Sequence, residues 1–257
     1  MIPNTIRLAA ATAVTALMLL PALPAAAEEF SAPQKSEIEG IIRDYIVSHP
    51  EVLQEAIAEL DRRQAEADTE KAKATIASNA EALFNSSRQV VLGNAKGDVT
   101  MVEFFDYNCG FCKKTLPDMA ELLKDDPKLK VVLKEFPVLG PGSVEAAKVA
   151  VAVRMQDKGG RKYWDFHQKL LGGRGQADKA RALAVAKEVG MDMTRLDKDL
   201  ASDEVKTSID ESLKLAETLG LSGTPSFIIG NDVVIGAIGL DGLRTKVSFA
   251  RCGKATC

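Results

Sequence analysis

Cys109-Gly110-Phe111-Cys112 sets two thiols three positions apart in a chain of 257 residues with four cysteines. If a helix begins at Cys109, both sulfurs fall on its first turn, where unpaired N–H groups favour negative charge. The thiolate is the reactive form of cysteine, so this position makes Cys109 the attacking sulfur. Cys112, one turn along and expected to be buried, is placed to resolve a mixed disulfide by attacking its neighbour. The pattern points to thiol–disulfide exchange. Two other chemistries could use the same sulfurs. Cys109, Cys112, Cys252 and Cys257 could enclose zinc as four thiolates, although the second pair has a four-residue spacer. Covalent haem attachment would need histidine directly after Cys112, where Lys113 stands.

Three further features could serve this chemistry. Glu103 interrupts the apolar run Met101-Val102-Glu103-Phe104-Phe105. A carboxyl group is costly to bury without a task or a partner. Six residues before Cys109, it could lie under the active-site helix and carry protons to and from Cys112, or it could face solvent on an edge strand. Thr224-Pro225 stands at the start of a strand-like run, where a proline marks a special turn, a cis bond or an ordinary loop. Cys252 and Cys257 could form a local disulfide, remain free or bind metal in a tail. His49 and His167 sit in helical contexts and are expected to pack or cap rather than ligate.

These residues need a scaffold. Residues 34–85 read as helical, with a break at His49-Pro50, because a residue before proline is pushed out of the helical region. Ile38, Ile42, Tyr45, Val52, Ala56 and Leu60 recur at helical steps. From Arg62 to Asn79 the apolar content falls to alanines and Ile76, as in an extended helix or hinge. Strand-like runs follow at Val90–Leu92, Val99–Phe105 and Leu129–Glu135, with the CxxC helix between the last two. Residues 143–219 read as helical throughout and too long for one crossover, so they read as an inserted subdomain. Phe227–Ile229 and Val233–Ile235 form a hairpin, and a last helix spans about residues 240–251. The order predicts an α/β fold with helices around one central sheet. The domains expected are residues 1–27, 28–88 and 89–257.

Arg7, the short apolar run Leu8–Leu20 and Ala25-Ala26-Ala27 read as a secretory signal cleaved after Ala27. Export would place the cysteines in an oxidising compartment. The formal charge of −3 argues against a nucleic-acid partner.

Taken together, the stretch Val102–Lys114 resembles the active-site strand and helix of the DsbA-like thioredoxin-fold family, and Gly223-Thr224-Pro225-Ser226-Phe227 is similar to its cis-proline loop. Tyr163-Trp164-Asp165-Phe166-His167 fits its inserted helical block. The resemblance covers about residues 90–251. It implies that Pro225 is cis and lies against the cysteines, that the Thr224 backbone is offered to an extended client, and that Glu103 is a buried acid. Residues 34–62 resemble the helical preface of ScsC-type members, some of which are trimeric disulfide isomerases, a type linked to copper tolerance. The implied protein is an exported, periplasmic thiol–disulfide oxidoreductase without cofactor or metal. Its partners would be client proteins with thiols or disulfides and a membrane redox protein of DsbD type, and it could form a homotrimer. The Gly-Phe spacer, Thr224 and the preface favour isomerase or reductase action. Net dithiol oxidation, or copper binding and chaperoning without exchange, are the alternatives.

Overall fold

The computed structural model describes residues 30–157 and 160–257. The signal expected at residues 1–27 lies outside them. Among the described residues no helix is long and apolar enough to cross a membrane. The chain divides into two compact units, one ending at Glu59 and the other running from Leu60 to Cys257.

The first unit holds helix α1 (Ala32–Ser48) and the start of α2 (Glu51–Ser78). His49, with φ −131° and ψ 65°, leaves the helical region just before Pro50. Its N–H still donates to the Tyr45 carbonyl at 2.9 Å, and its ring stacks on Tyr45 at 4.6 Å. His49 therefore caps and packs. No residue of α1 is buried, and Ile41, Ile42 and Tyr45 are each more than half exposed.

The second unit is built on five strands: β1 (Val90–Gly93), β2 (Val99–Phe105), β3 (Leu129–Glu135), β4 (Ser226–Ile229) and β5 (Asp232–Ile235). Their order is β1-β3-β2-β4-β5. β2 and β3 run parallel, joined by α3 (Gly110–Asp125), and every other pair is antiparallel. The two central strands are apolar on both faces because both faces are covered. Period-two alternation sends Met101 and Phe105 to one side, with Cys112 and Met119 of α3. Val102 and Phe104 go to the other. Ile229 pairs with Asp232, which leaves Gly230-Asn231 as a two-residue turn with Gly230 at φ +60°.

The long helical block comprises α4 (Pro141–Gln156), α5 (Arg161–Leu171), α6 (Lys179–Glu188), α7 (Met193–Leu200) and α8 (Asp203–Thr218), before the closing α9 (Gly239–Cys252). It departs from the expected subdomain over 143–219 in two ways. Ala146, Phe166, Ala182 and Leu196 share a core with Phe105 and Val131, so α4–α7 extend the sheet's core instead of forming their own. Leu215 and Ala216 of α8 pack on the opposite side, against the cluster of Val102 and Phe104.

The boundary expected at residue 88 also moves. Ile76 of α2 and Leu83 of a π-helical turn (Glu81–Asn85) lie in that second cluster. Lys134, buried on β3, donates to the Ala82 carbonyl at 2.6 Å. Undocking the segment would uncover part of the face formed by Val102, Phe104 and Val132, and Ile76 and Leu83, with Ala82 and Phe84 packed beside them, dock it. Leu83→Ala is expected to lower unfolding stability by about 3 kcal/mol, read as a fall in the urea midpoint. An unchanged midpoint would place this segment outside the core.

Candidate active site

Cys109 is the N-cap of α3, and its Sγ accepts from the Cys112 N–H at 3.4 Å. The helix starts at Gly110, one residue later than the sequence predicts, so the sulfur caps the first turn from outside it. Cys109 and Cys112 are both free thiols, and Cys112 is fully buried. Burial pushes the Cys112 thiol up, and the negative charge of Glu103 adds to the effect. Cys112 therefore keeps its proton until something nearby takes it.

Glu103 lies on β2, between β3 and β4, and is only 3 % exposed. The solvated edge-strand alternative does not hold. Alternation puts it on the same face as Met101 and Phe105, the face that α3 covers. Burial raises its carboxyl from the usual range to about 8.

The Thr224–Pro225 peptide bond is cis. The Thr224 carbonyl accepts from the Cys109 thiol at 3.1 Å, which brings the proline loop and the nucleophile together. Two bonds shape this loop: Ser226 Oγ donates to the Gly223 carbonyl at 2.7 Å, and the Gly236 N–H to the Pro225 carbonyl at 2.8 Å. The five residues singled out by sequence (Cys109, Cys112, Glu103, Thr224 and Pro225) thus gather at one end of the central strands. Cys252 and Cys257 do not join them. They are disulfide-bonded to each other at the C-terminal end of α9, which takes both sulfurs out of the four-thiolate set. Among the described residues no group of three or more His, Cys, Asp or Glu side chains could hold a metal ion.

Several site neighbours escape sequence reasoning. Tyr107, Tyr163, His167 and Glu135 form a buried polar chain beside the cysteine turn. Tyr163 donates to Glu135 at 2.7 Å, and the Tyr107 hydroxyl lies 3.4 Å from both the Tyr163 hydroxyl and His167 Nδ1. Burial raises Glu135 to about 8 and lowers His167 to about 3, so His167 packs as a neutral ring. A charged residue at the end of a strand gives no sign that it will be buried. Only the aromatic spacing in Tyr163-Trp164-Asp165-Phe166-His167 hinted at this layer.

The chain matches the model of the DSBA-like thioredoxin domain over residues 100–248 and that of the copper resistance protein ScsC N-terminal domain over residues 34–67. It is 42 % identical to a thioredoxin-like oxidoreductase from Silicibacter pomeroyi, with a TM-score of 0.63 over 66 % of this chain and 96 % of that one. A linker-deleted mutant of ScsC from Proteus mirabilis aligns at 26 % identity with a TM-score of 0.65, over 88 % of this chain and 98 % of that one. Among curated relatives, a Na(+)/H(+) antiporter NhaA of Salinispora arenicola is 29 % identical over 65 % of this chain. The chain spans 25 % of that antiporter, so the two share a stretch and not a length.

The raised Glu103 carboxyl fixes a stability prediction. Its proton is bound in the folded state up to about pH 8 but released from the unfolded chain near 4.5. Its contribution is therefore intact below pH 4.5 and is lost as pH rises through 8. Glu103→Gln is expected to stabilise the protein by about 3 kcal/mol at pH 7 and by almost nothing at pH 4. Chemical unfolding at the two pH values checks this, and a pH-independent difference would contradict it. By its family match, its dithiol helix and its cis-proline loop, the chain belongs to the DsbA-like family of thioredoxin-fold thiol–disulfide oxidoreductases, with an N-terminal segment of ScsC type.

Proposed function

We propose that the exported protein is a disulfide isomerase or reductase, with Cys109 as nucleophile and Cys112 as resolving thiol. The observation that carries the reading is the division between the two sulfurs. Both are buried, but Cys109 caps a helix beside the Thr224 carbonyl, whereas the fully enclosed Cys112 has its thiol pushed up. Thiolate at Cys109 attacks a client disulfide, forming one sulfur–sulfur bond and releasing the client's other sulfur as a thiolate. If that thiolate attacks a different sulfur of the client, the disulfide is reshuffled and Cys109 leaves reduced. If not, Cys112 gives its proton to ionised Glu103 and attacks Cys109, freeing the client reduced.

The Cys109 thiol loses its donor when it ionises or bonds to sulfur. The Thr224 carbonyl is then open to a backbone N–H of an extended client. Phe111, Val138 and Leu139, about half exposed, supply apolar surface for such a segment. Isomerase action requires the pair to stay reduced, which fits electron supply from a membrane protein of DsbD type. The exposed apolar residues of α1, Ile41, Ile42 and Tyr45, support self-association into a trimer. Several active sites held near one client raise the effective concentration of thiolate.

The test is recovery of ribonuclease activity from the scrambled enzyme. The protein with residues 28–257 is expected to rescue it and to sediment as an oligomer. A chain lacking residues 28–62 is expected to sediment as a monomer, to lose rescue and to keep dithiol oxidation. No rescue above a Cys109→Ser control would sink the isomerase reading. A reduction potential near −120 mV would favour net oxidation instead.

A further inference from the structure

The sheet holds the chain firmly only as far as Phe105. The β2–β3 ladder ends with Phe105 opposite Glu135, and the last backbone bond of that edge runs from the Phe136 N–H to the Phe105 carbonyl at 2.8 Å. Residues 106–108 lie between this point and the nucleophile. Within them one backbone bond closes a turn, from the Cys109 N–H to the Asp106 carbonyl at 3.0 Å. The placement of that turn, and of the sulfur at its end, rests on side chains.

Asp106 is 1 % exposed, and four donors converge on its carboxyl group. Oδ1 accepts from the Asn108 N–H and from Ser143 Oγ, both at 2.7 Å. Oδ2 accepts from the N–H groups of Val138 and Leu139, both at 2.9 Å. Asn108 continues the clamp. Its Nδ2 donates to Ser143 Oγ and to the Ala177 carbonyl, each at 2.9 Å, and its Oδ1 accepts from the Ala177 N–H at 2.7 Å. On the other side of the cysteines, Lys113 Nζ donates to the Gly173 carbonyl at 3.0 Å. Apart from the Asn108 N–H, these partners lie after β3, in the loop before α4, at the start of α4, or in the loop between α5 and α6.

We infer that Asp106 and Asn108 are positioning residues for the thiol exchange, fixing Cys109 Sγ through the helical insertion instead of through the sheet. Each bond is ordinary, but the arrangement allows no substitute. An amide at position 106 would turn one acceptor atom into a donor facing donors, and the turn would have to shift to relieve it. Displacements of about 1 Å at a reacting centre cost rates by up to about a hundredfold. The insertion, on this inference, serves as the anvil of the nucleophile as well as a cover for the sheet.

The inference rests on Cys109 being the attacking sulfur, and the experiment separates the two. In the Cys112→Ser background, the rate at which Cys109 reacts with 5,5′-dithiobis(2-nitrobenzoate) is measured well below each variant's melting temperature. Asp106→Asn and Asn108→Ala are expected to slow it by about tenfold or more. Val185→Ala, which loosens the core of α6 away from the clamp, lowers the melting temperature but leaves the rate unchanged. Asn108→Ala keeps its backbone N–H on Asp106, so it decides alone should Asp106→Asn fail to fold. Unchanged rates in the folded clamp variants, with lowered melting temperatures, would reduce the clamp to a purely structural role and overturn the inference. With Cys112 retained, a Cys109→Ser variant that reacts as fast as the Cys112→Ser protein would overturn the assignment of the nucleophile beneath it.

Discussion

A carboxyl group buried in the middle of a hydrophobic sheet must hold a proton that water would readily take, at a cost of about 3 kcal/mol near neutral pH. Glu103 carries that cost on β2, the middle strand of the five. The rest of the unit is arranged so that the cost is tolerated and the proton is useful. Two clusters of apolar side chains, one on each sheet face, supply the stability that the acid subtracts. Covering one face with α3 brings Cys112 to the acid. Burial holds the Cys112 proton, and the ionised form of Glu103 is the base beside it that can take that proton.

The same constraint explains why the two cysteines differ although only two residues separate them. Cys112 belongs to the interior and shares its low polarity with Glu103. Cys109 sits just outside the first helical turn, where its sulfur meets the Cys112 N–H and the Thr224 carbonyl. Desolvation sets the Cys112 thiol, and two hydrogen bonds hold the Cys109 sulfur in place. This asymmetry lets a single dithiol first attack and later resolve.

Much of this was legible in the sequence because it is local. Two cysteines at a three-residue step, a proline opening a strand and a carboxylate inside an apolar run each state their chemistry within a few residues. The strands announced themselves through β-branched runs, and the helix break through Pro50. What stayed hidden depends on distance along the chain. Asp106 finds its backbone partners 32 and 33 residues away, and Asn108 finds Ala177 69 residues away. No spacing rule links such positions. Glu135 and Lys134, charged residues at the end of a strand, are both buried, because α5 covers one face and α8 with the π-helical turn covers the other. The helical block read as a separate subdomain because periodicity reports which residues are apolar and not which core they join.

The docking of Ile76 and Leu83 bears on how such a chain could be assembled in evolution. A preface joined to a thioredoxin-fold domain looks like a movable module, gained or lost by recombination at the composition change near residue 88. A crossover there would uncover the part of the sheet's second face that α8 does not reach, leaving apolar surface open to proteases and aggregation. The viable seam lies near Leu60, inside the uninterrupted helix α2. An exchange of prefaces at that seam has to leave the stretch from Leu60 to Ser78 helical, so that Ile76 still reaches the second face of the sheet.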